Sequence, residues 1–175
     1  HSSALLLPDG RVLSIGGDDT PAVEIFSPPY LFKGARPTMS AVPSGIGYGQ
    51  QITVQSPDAA TIGKVTLIRI ASVTHAFNQN QRMNVLPFSA GTGSVTITTP
   101  ANANLAPPGL YMLFIVNSTG VPSVASFVQV GAGDPDLAFG GRIAAHHAVG
   151  DVLASLRIEL GQDVVEKHEG RRPRS

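Results

Sequence analysis

The chain has 175 residues, with 12 Lys and Arg against 12 Asp and Glu, 14% charged and 42% hydrophobic residues, and no Cys. The zero charge balance offers nothing to nucleic acid or a membrane surface. The apolar content excludes a wholly disordered polymer, and no apolar run approaches the roughly 18 residues of a membrane helix.

The chain opens on His1 rather than Met, which reads as a piece of a longer protein. Its 19 Gly and 14 Pro exceed the usual share and call for many short elements and turns. Residues 3–7 and 11–17 are apolar runs on either side of Pro8-Asp9-Gly10. Proline presets a turn there and Gly10 can take positive φ, so the two runs are expected to pair as a hairpin. Two strands alone are not stable, and the neighbouring strands are expected upstream. Ser27-Pro28-Pro29-Tyr30 and Arg36-Pro37 make 28–49 a stiff crossing segment.

From Gln50 onward the pattern becomes regular, with candidate strands at 51–55, 64–71, 82–88, 94–98, 110–117 and 124–130. They are rich in Val, Ile, Thr and Phe and are separated by Gly, Pro, Asn and Ser. Six short strands at this spacing predict an all-β fold, an antiparallel immunoglobulin-like β-sandwich. Residues 64–70 alternate, with Val65 and Leu67 on one face and Thr66, Ile68 and Ile70 on the other, and either face could be inward. Residues 110–116 are apolar on both faces, which places that strand centrally. Leu67, Phe114, Val116 and Phe127 are expected to be buried. Gly131-Ala132-Gly133-Asp134-Pro135 reads as a linker, so 131–175 is expected to be a separate tail. Within it Val149, Val152, Leu153, Leu156 and Leu160 recur at helical spacing.

Histidines stand at positions 1, 75, 146, 147 and 168, and none falls in a zinc-binding spacing. His75 lies in the polar stretch Ser72-Val73-Thr74-His75-Ala76-Phe77-Asn78-Gln79-Asn80-Gln81-Arg82. By position alone it reads as a loop histidine bonded to neighbouring backbone, although loops at the end of a sandwich can also project side chains into another domain. His146 and His147 are adjacent and would diverge by about 100° on a helix, which suits surface histidines better than a chelating pair. There is no glycine-rich phosphate loop and no serine nucleophile elbow. Asn117-Ser118-Thr119 matches a glycosylation acceptor, and the same four residues to Gly120 are what a hairpin turn requires.

His1-Ser2-Ser3-Ala4-Leu5-Leu6-Leu7-Pro8-Asp9-Gly10-Arg11-Val12, Ile25-Phe26-Ser27-Pro28-Pro29-Tyr30-Leu31, Val73-Thr74-His75, Asn80-Gln81-Arg82, Pro108-Gly109-Leu110-Tyr111-Met112-Leu113-Phe114 and Gly120-Val121-Pro122-Ser123 follow one another over residues 1–130. In that order they closely resemble the carboxyl-terminal part of the galactose oxidase and glyoxal oxidase family. The resemblance implies that 1–27 are strands of the last blade of a kelch-type propeller. It implies that 28–130 are an early-set immunoglobulin-like domain, with 28–49 the crossing linker. The tail, 131–175, is not covered.

The resemblance also implies one copper ion, held in the complete protein by two histidines and two tyrosines. The enzyme pairs this metal with a tyrosyl radical, oxidises a primary alcohol or aldehyde, and reduces O2 to hydrogen peroxide. By motif His1 matches the histidine ligand of the final blade, and His75 matches the ligand that the sandwich sends down the propeller's central channel. The axial tyrosine would immediately precede His1, and the radical tyrosine with its cysteine would lie on earlier blades. The expected partners are therefore the upstream propeller domain and a small alcohol, aldehyde or carbohydrate substrate, in an extracellular or cell-surface protein. The chain alone is expected to be inactive. The other reading is a noncatalytic propeller and sandwich protein that binds carbohydrate or cell wall, since a fold can outlive its site.

Overall fold

In a computed structural model, residues 2–17, 22–75 and 77–131 are described. His1, the tail histidines and the helix expected between Val149 and Leu160 lie outside the described residues.

The described strands are β1 (Ser2–Leu6), β2 (Val12–Gly16), β3 (Ala22–Phe26), β4 (Gly45–Ile46), β5 (Gln51–Gln55), β6 (Ile62–Arg69), β7 (Val73–Thr74) and β8 (Phe77–Asn78), then β9 (Met83–Leu86), β10 (Phe88–Gly91), β11 (Ser94–Thr98), β12 (Gly109–Asn117) and β13 (Ser126–Val130). Two sheets form the sandwich, one ordered β4-β13-β12-β6-β9 and the other β10-β11-β5. Every pairing in them is antiparallel except that of β4 with β13. The expected all-β immunoglobulin-like sandwich is therefore present.

Alternation decides the core. Leu113 pairs with Leu67 and Ile115 with Val65, and these four side chains are fully buried. They meet Val54, Val95 and Ile97 of the smaller sheet, together with Val128, Val130 and Ile46. The open question about β6 is thus answered, with Val65 and Leu67 inward and Thr66 and Ile68 outward. Burying each such aliphatic chain contributes about 1.5–3 kcal/mol.

Three expectations need correction. Leu67 and Phe114 are buried, but Val116 and Phe127 are only half-buried, because they lie on the outer face of their sheet. Phe114 itself pairs with Thr66 on that outer face, where Leu6 and Tyr30 border the same cavity. The single strand expected at 82–88 is two, β9 and β10, in different sheets. Pro87 stands between them without an N–H to donate to a ladder, while its carbonyl accepts from Thr98 N at 2.9 Å.

The third correction concerns the first hairpin. β1 and β2 pair as expected, with Leu5 opposite Leu13, and Gly10 has a φ of 80° in their turn. A neighbouring strand comes from downstream as well, because β3 adds to β2 with Ile25 opposite Leu13. Val23, Ile25 and Phe26 in this run are residues that favour strand, and they extend the ladder.

The hairpin lies across the outer face of the larger sheet, tied down at its turn. Ala125 N donates to Pro8 O at 2.8 Å, and the Tyr30 hydroxyl donates to Gly10 O at 2.5 Å. Burial pushes the Tyr30 phenol above its ordinary pKa, against the pull of the Arg36 guanidinium. Arg36 donates through Nε to Pro122 O at 3.0 Å and through Nη2 to Ser123 O at 2.8 Å, fixing the crossing segment to the connection between β12 and β13.

Candidate functional site

β6 ends at Arg69, and the chain returns to the same sheet at β9. Between them the polar stretch is not a plain loop but a small hairpin, β7 with β8, in the register Val73 to Asn78 and Thr74 to Phe77. That register leaves only positions 75 and 76 for the turn. A connection this tight requires positive φ, and His75 has a φ of 50°. Histidine tolerates this left-handed region better than β-branched residues do. His75 is exposed at the tip, and the Phe77 side chain beside it is 71% exposed.

The base of the hairpin is closed by one side chain. Asn78 Oδ1 accepts from Ser72 N at 3.2 Å and from Asn80 N at 3.1 Å, and Gln79 N donates to Ser72 O at 3.0 Å. Beneath it, Arg69 N donates to Arg82 O at 3.0 Å and Ile70 N to Leu110 O at 3.2 Å. Arg82 Nη1 then reaches the carbonyls of Asn104 and Leu105, at 2.8 and 2.9 Å. Asn84 Nδ2 donates to the Leu105 carbonyl as well, at 3.0 Å. The loop before β12 is thereby fastened to the strand that follows the hairpin.

Tyr111 completes the support from below. Its hydroxyl donates to Pro107 O at 2.7 Å, and the Arg69 guanidinium lies 5.8 Å from its ring centre while Nη2 donates to Pro108 O at 3.2 Å. Burial raises the Tyr111 pKa, and the charges of Arg69 and Arg82 act against that rise. The position of His75 is thus set by a short ladder, an asparagine clamp and two anchored arginines.

A cavity of about 240 Å³ opens beside this base, lined by Ser2, Ser3, Ala4 and Ser14 of the first sheet and by Val73 and Asn78 of the small hairpin. The open end of the β1–β2 hairpin therefore faces the His75 hairpin, just as its turn faces Pro122. Of the two expected metal ligands, His75 is described and His1 is not. Among the described residues no three His, Cys, Asp or Glu side chains come together to hold a metal ion. Sequence reasoning named His75 but not Asn78, Arg82 or Tyr111, which hold its hairpin. An Asn two residues before another Asn is a turn signal, yet its two backbone partners are apparent only once the hairpin has closed.

The galactose oxidase-like early set domain, as a family model, matches residues 36–130. A WSC domain-containing protein of Arthroderma benhamiae is 39% identical over 145 residues, which cover 77% of this chain and 15% of that protein. A galactose oxidase of Gibberella zeae is 38% identical over 144 residues, covering 74% of this chain and 21% of the enzyme. A solved structure described as a novel fungal alcohol oxidase of the AA5 family, in complex with copper, superposes with a TM-score of 0.67 at 32% identity, covering 74% of this chain and 30% of that one. The chain thus spans between 15% and 30% of the length of these proteins. With the early-set match extending over more than half of its residues, the chain belongs to the galactose oxidase-like family.

Proposed function

We propose that the chain is the carboxyl-terminal part of a copper radical oxidase acting on primary alcohols or aldehydes, and that His75 and His1 are two of the metal's ligands. The observation that carries this reading is the cavity between Ser2 and Ser3 on one side and Val73 and Asn78 on the other. These residues flank the two histidines in sequence. A galactose oxidase and a copper-bound alcohol oxidase among the similar proteins support the same reading.

The donor chemistry fits. Imidazole nitrogen suits copper, which stands at the top of the divalent affinity order. His75 is exposed at the tip of a hairpin whose backbone is clamped, an arrangement that can offer a nitrogen donor to a centre completed by groups outside the described residues. When bound, copper with a tyrosyl radical supplies a two-electron oxidation, in which an alcohol becomes an aldehyde and O2 becomes hydrogen peroxide. In that reaction this chain's residues hold and orient. Each histidine would donate through a neutral imidazole nitrogen. A tyrosine preceding His1 would be a further ligand and would take up the substrate proton, and upstream propeller loops would choose the substrate. The full-length protein works outside the cell or at its surface, and the 175-residue chain alone binds copper weakly and turns nothing over.

The test is His75→Ala in the full-length protein. Losing a ligand should lower copper affinity by at least the roughly 10–100-fold that follows loss of a supporting partner, and peroxide production should fall with it. His146→Ala is the control and should change neither. Unaltered copper binding and turnover in His75→Ala would sink the assignment and favour the noncatalytic, carbohydrate-binding reading.

A further inference from the structure

We propose that Asn117 is a site of N-linked glycosylation, and that the turn it builds is also what presents it. Asn117-Ser118-Thr119 has the acceptor pattern, and it falls where β12 ends. Gly120 N donates to Asn117 O at 2.9 Å, closing the turn, with Gly120 at a φ of 88°. The Asn117 side chain is oriented by its oxygen. Oδ1 accepts from Thr119 Oγ1 at 2.8 Å and from Val121 N at 2.8 Å. The threonine hydroxyl that the acceptor pattern demands is therefore already on the amide it serves.

The nitrogen is left accessible. Nδ2 makes one long bond, to Ala35 O at 3.3 Å, and needs only one of its two hydrogens for it. Ser118, Thr119 and Gly120 are exposed, and a Cβ built on Gly120 would meet nothing within 4 Å. A sugar can thus be joined while the oxygen's contacts stay in place. The step requires a lipid-diphosphate-linked oligosaccharide. The Nδ2 to C1 bond of its first N-acetylglucosamine forms, the bond from C1 to the diphosphate oxygen breaks, the lipid diphosphate leaves, and one Nδ2 proton passes to the transferase.

Position along the sheet keeps this site apart from the histidine hairpin. In the pairing of β12 with β6, Tyr111 stands opposite Arg69, beside the hairpin, and Asn117 stands opposite Ile62. Six residues of antiparallel strand separate the two ends by about 20 Å. A glycan here would project from the end of the sandwich remote from His75, so the proposal stands or falls independently of the copper assignment.

The experiment secretes the 175-residue chain from yeast behind a cleavable signal and translates it in parallel into endoplasmic-reticulum microsomes. Release of the glycan by a peptide amidase in heavy-oxygen water converts a carrier Asn into labelled Asp, which peptide mapping locates. Label is expected at Asn117 in the unsubstituted chain and in Thr119→Ser. It should fall to background in Thr119→Ala, which keeps the Asn117 to Val121 bond, and in Asn117→Gln. An unlabelled Asn117 in both the secreted and the microsomal chain would overturn the proposal, as would undiminished label in Thr119→Ala.

Discussion

The inner strands of the sandwich and β3 both alternate with Val and Ile and end up in opposite states. In the sandwich Leu67, Leu113, Val95 and Ile97 are sealed between two sheets. In the sheet β1-β2-β3 every residue of β3 is exposed, Val23 at 53% and Phe26 at 59%. A sheet needs a second layer on its apolar face. The sandwich contains both layers within residues 45–130, whereas β3 stays exposed among the described residues although Leu13 of the neighbouring β2 is buried. Alternation in a sequence therefore marks a face ready for burial without naming what buries it.

The largest expected effect tests that contrast directly. Leu113→Ala should cost about 2–5 kcal/mol, read from the denaturant midpoint, while Val23→Ala should stay within about 0.5 kcal/mol. Similar losses would mean that the first sheet is as well packed as the sandwich. Amide exchange should agree, with Leu5 and Leu6 opening well before Leu113 and Ile115.

Alkaline pH gives a smaller effect, at the join between the sandwich and the site. The folded pKa of Tyr111 is raised, so the protonated phenol is favoured in the native state. Its contribution is fully present below the ordinary value near 10 and is lost as pH rises through the folded pKa. Stability should be level between pH 8 and 9 and decline above about 10. Tyr111→Phe should flatten the decline and cost about 1 kcal/mol at neutral pH through loss of the bond to Pro107. Tyr30 shifts in the same direction, so some slope will remain. An unchanged slope in Tyr111→Phe would assign the effect elsewhere.

The smallest effect is local. Asn78→Ala removes the acceptor for Ser72 N and Asn80 N. Because the hairpin lies outside the core, the global midpoint should move by less than about 0.5 kcal/mol. Gln79 N, bonded to Ser72 O, should nevertheless exchange about tenfold faster, as expected when roughly 1.4 kcal/mol of local closure is lost. Loss of cooperative unfolding in this variant would show that the hairpin is part of the core.

How far the site could be read in advance varied with the range of the interactions. Positions 51–55 and 94–98 were legible to the residue, since each is a short alternating run bounded by turn formers. The break at Pro87 was written in the chain but overridden by the apolar run on either side. β7 and β8 were not legible, because two-residue strands among Asn, Gln and Ser show no period. His75 was recognisable by its motif, and its presentation was not, since the clamp at Asn78 and the tie from Arg82 to the loop before β12 exist only after closure.

Composition and local pattern alone determined that this is an all-β chain of short strands and that a turn stands at Pro8-Asp9-Gly10. Turn chemistry and alternation act between near neighbours and survive without the rest of the molecule. Tertiary structure alone decided which face of β6 is inside, since both faces carry apolar residues and only the arrival of β5 and β11 chooses between them. It also decided that Phe114 is buried against the first hairpin rather than in the core, and that Ser2 and Val73 border one cavity although 71 positions separate them. Such pairings depend on where a sheet's register and twist carry distant residues, and no local pattern encodes that.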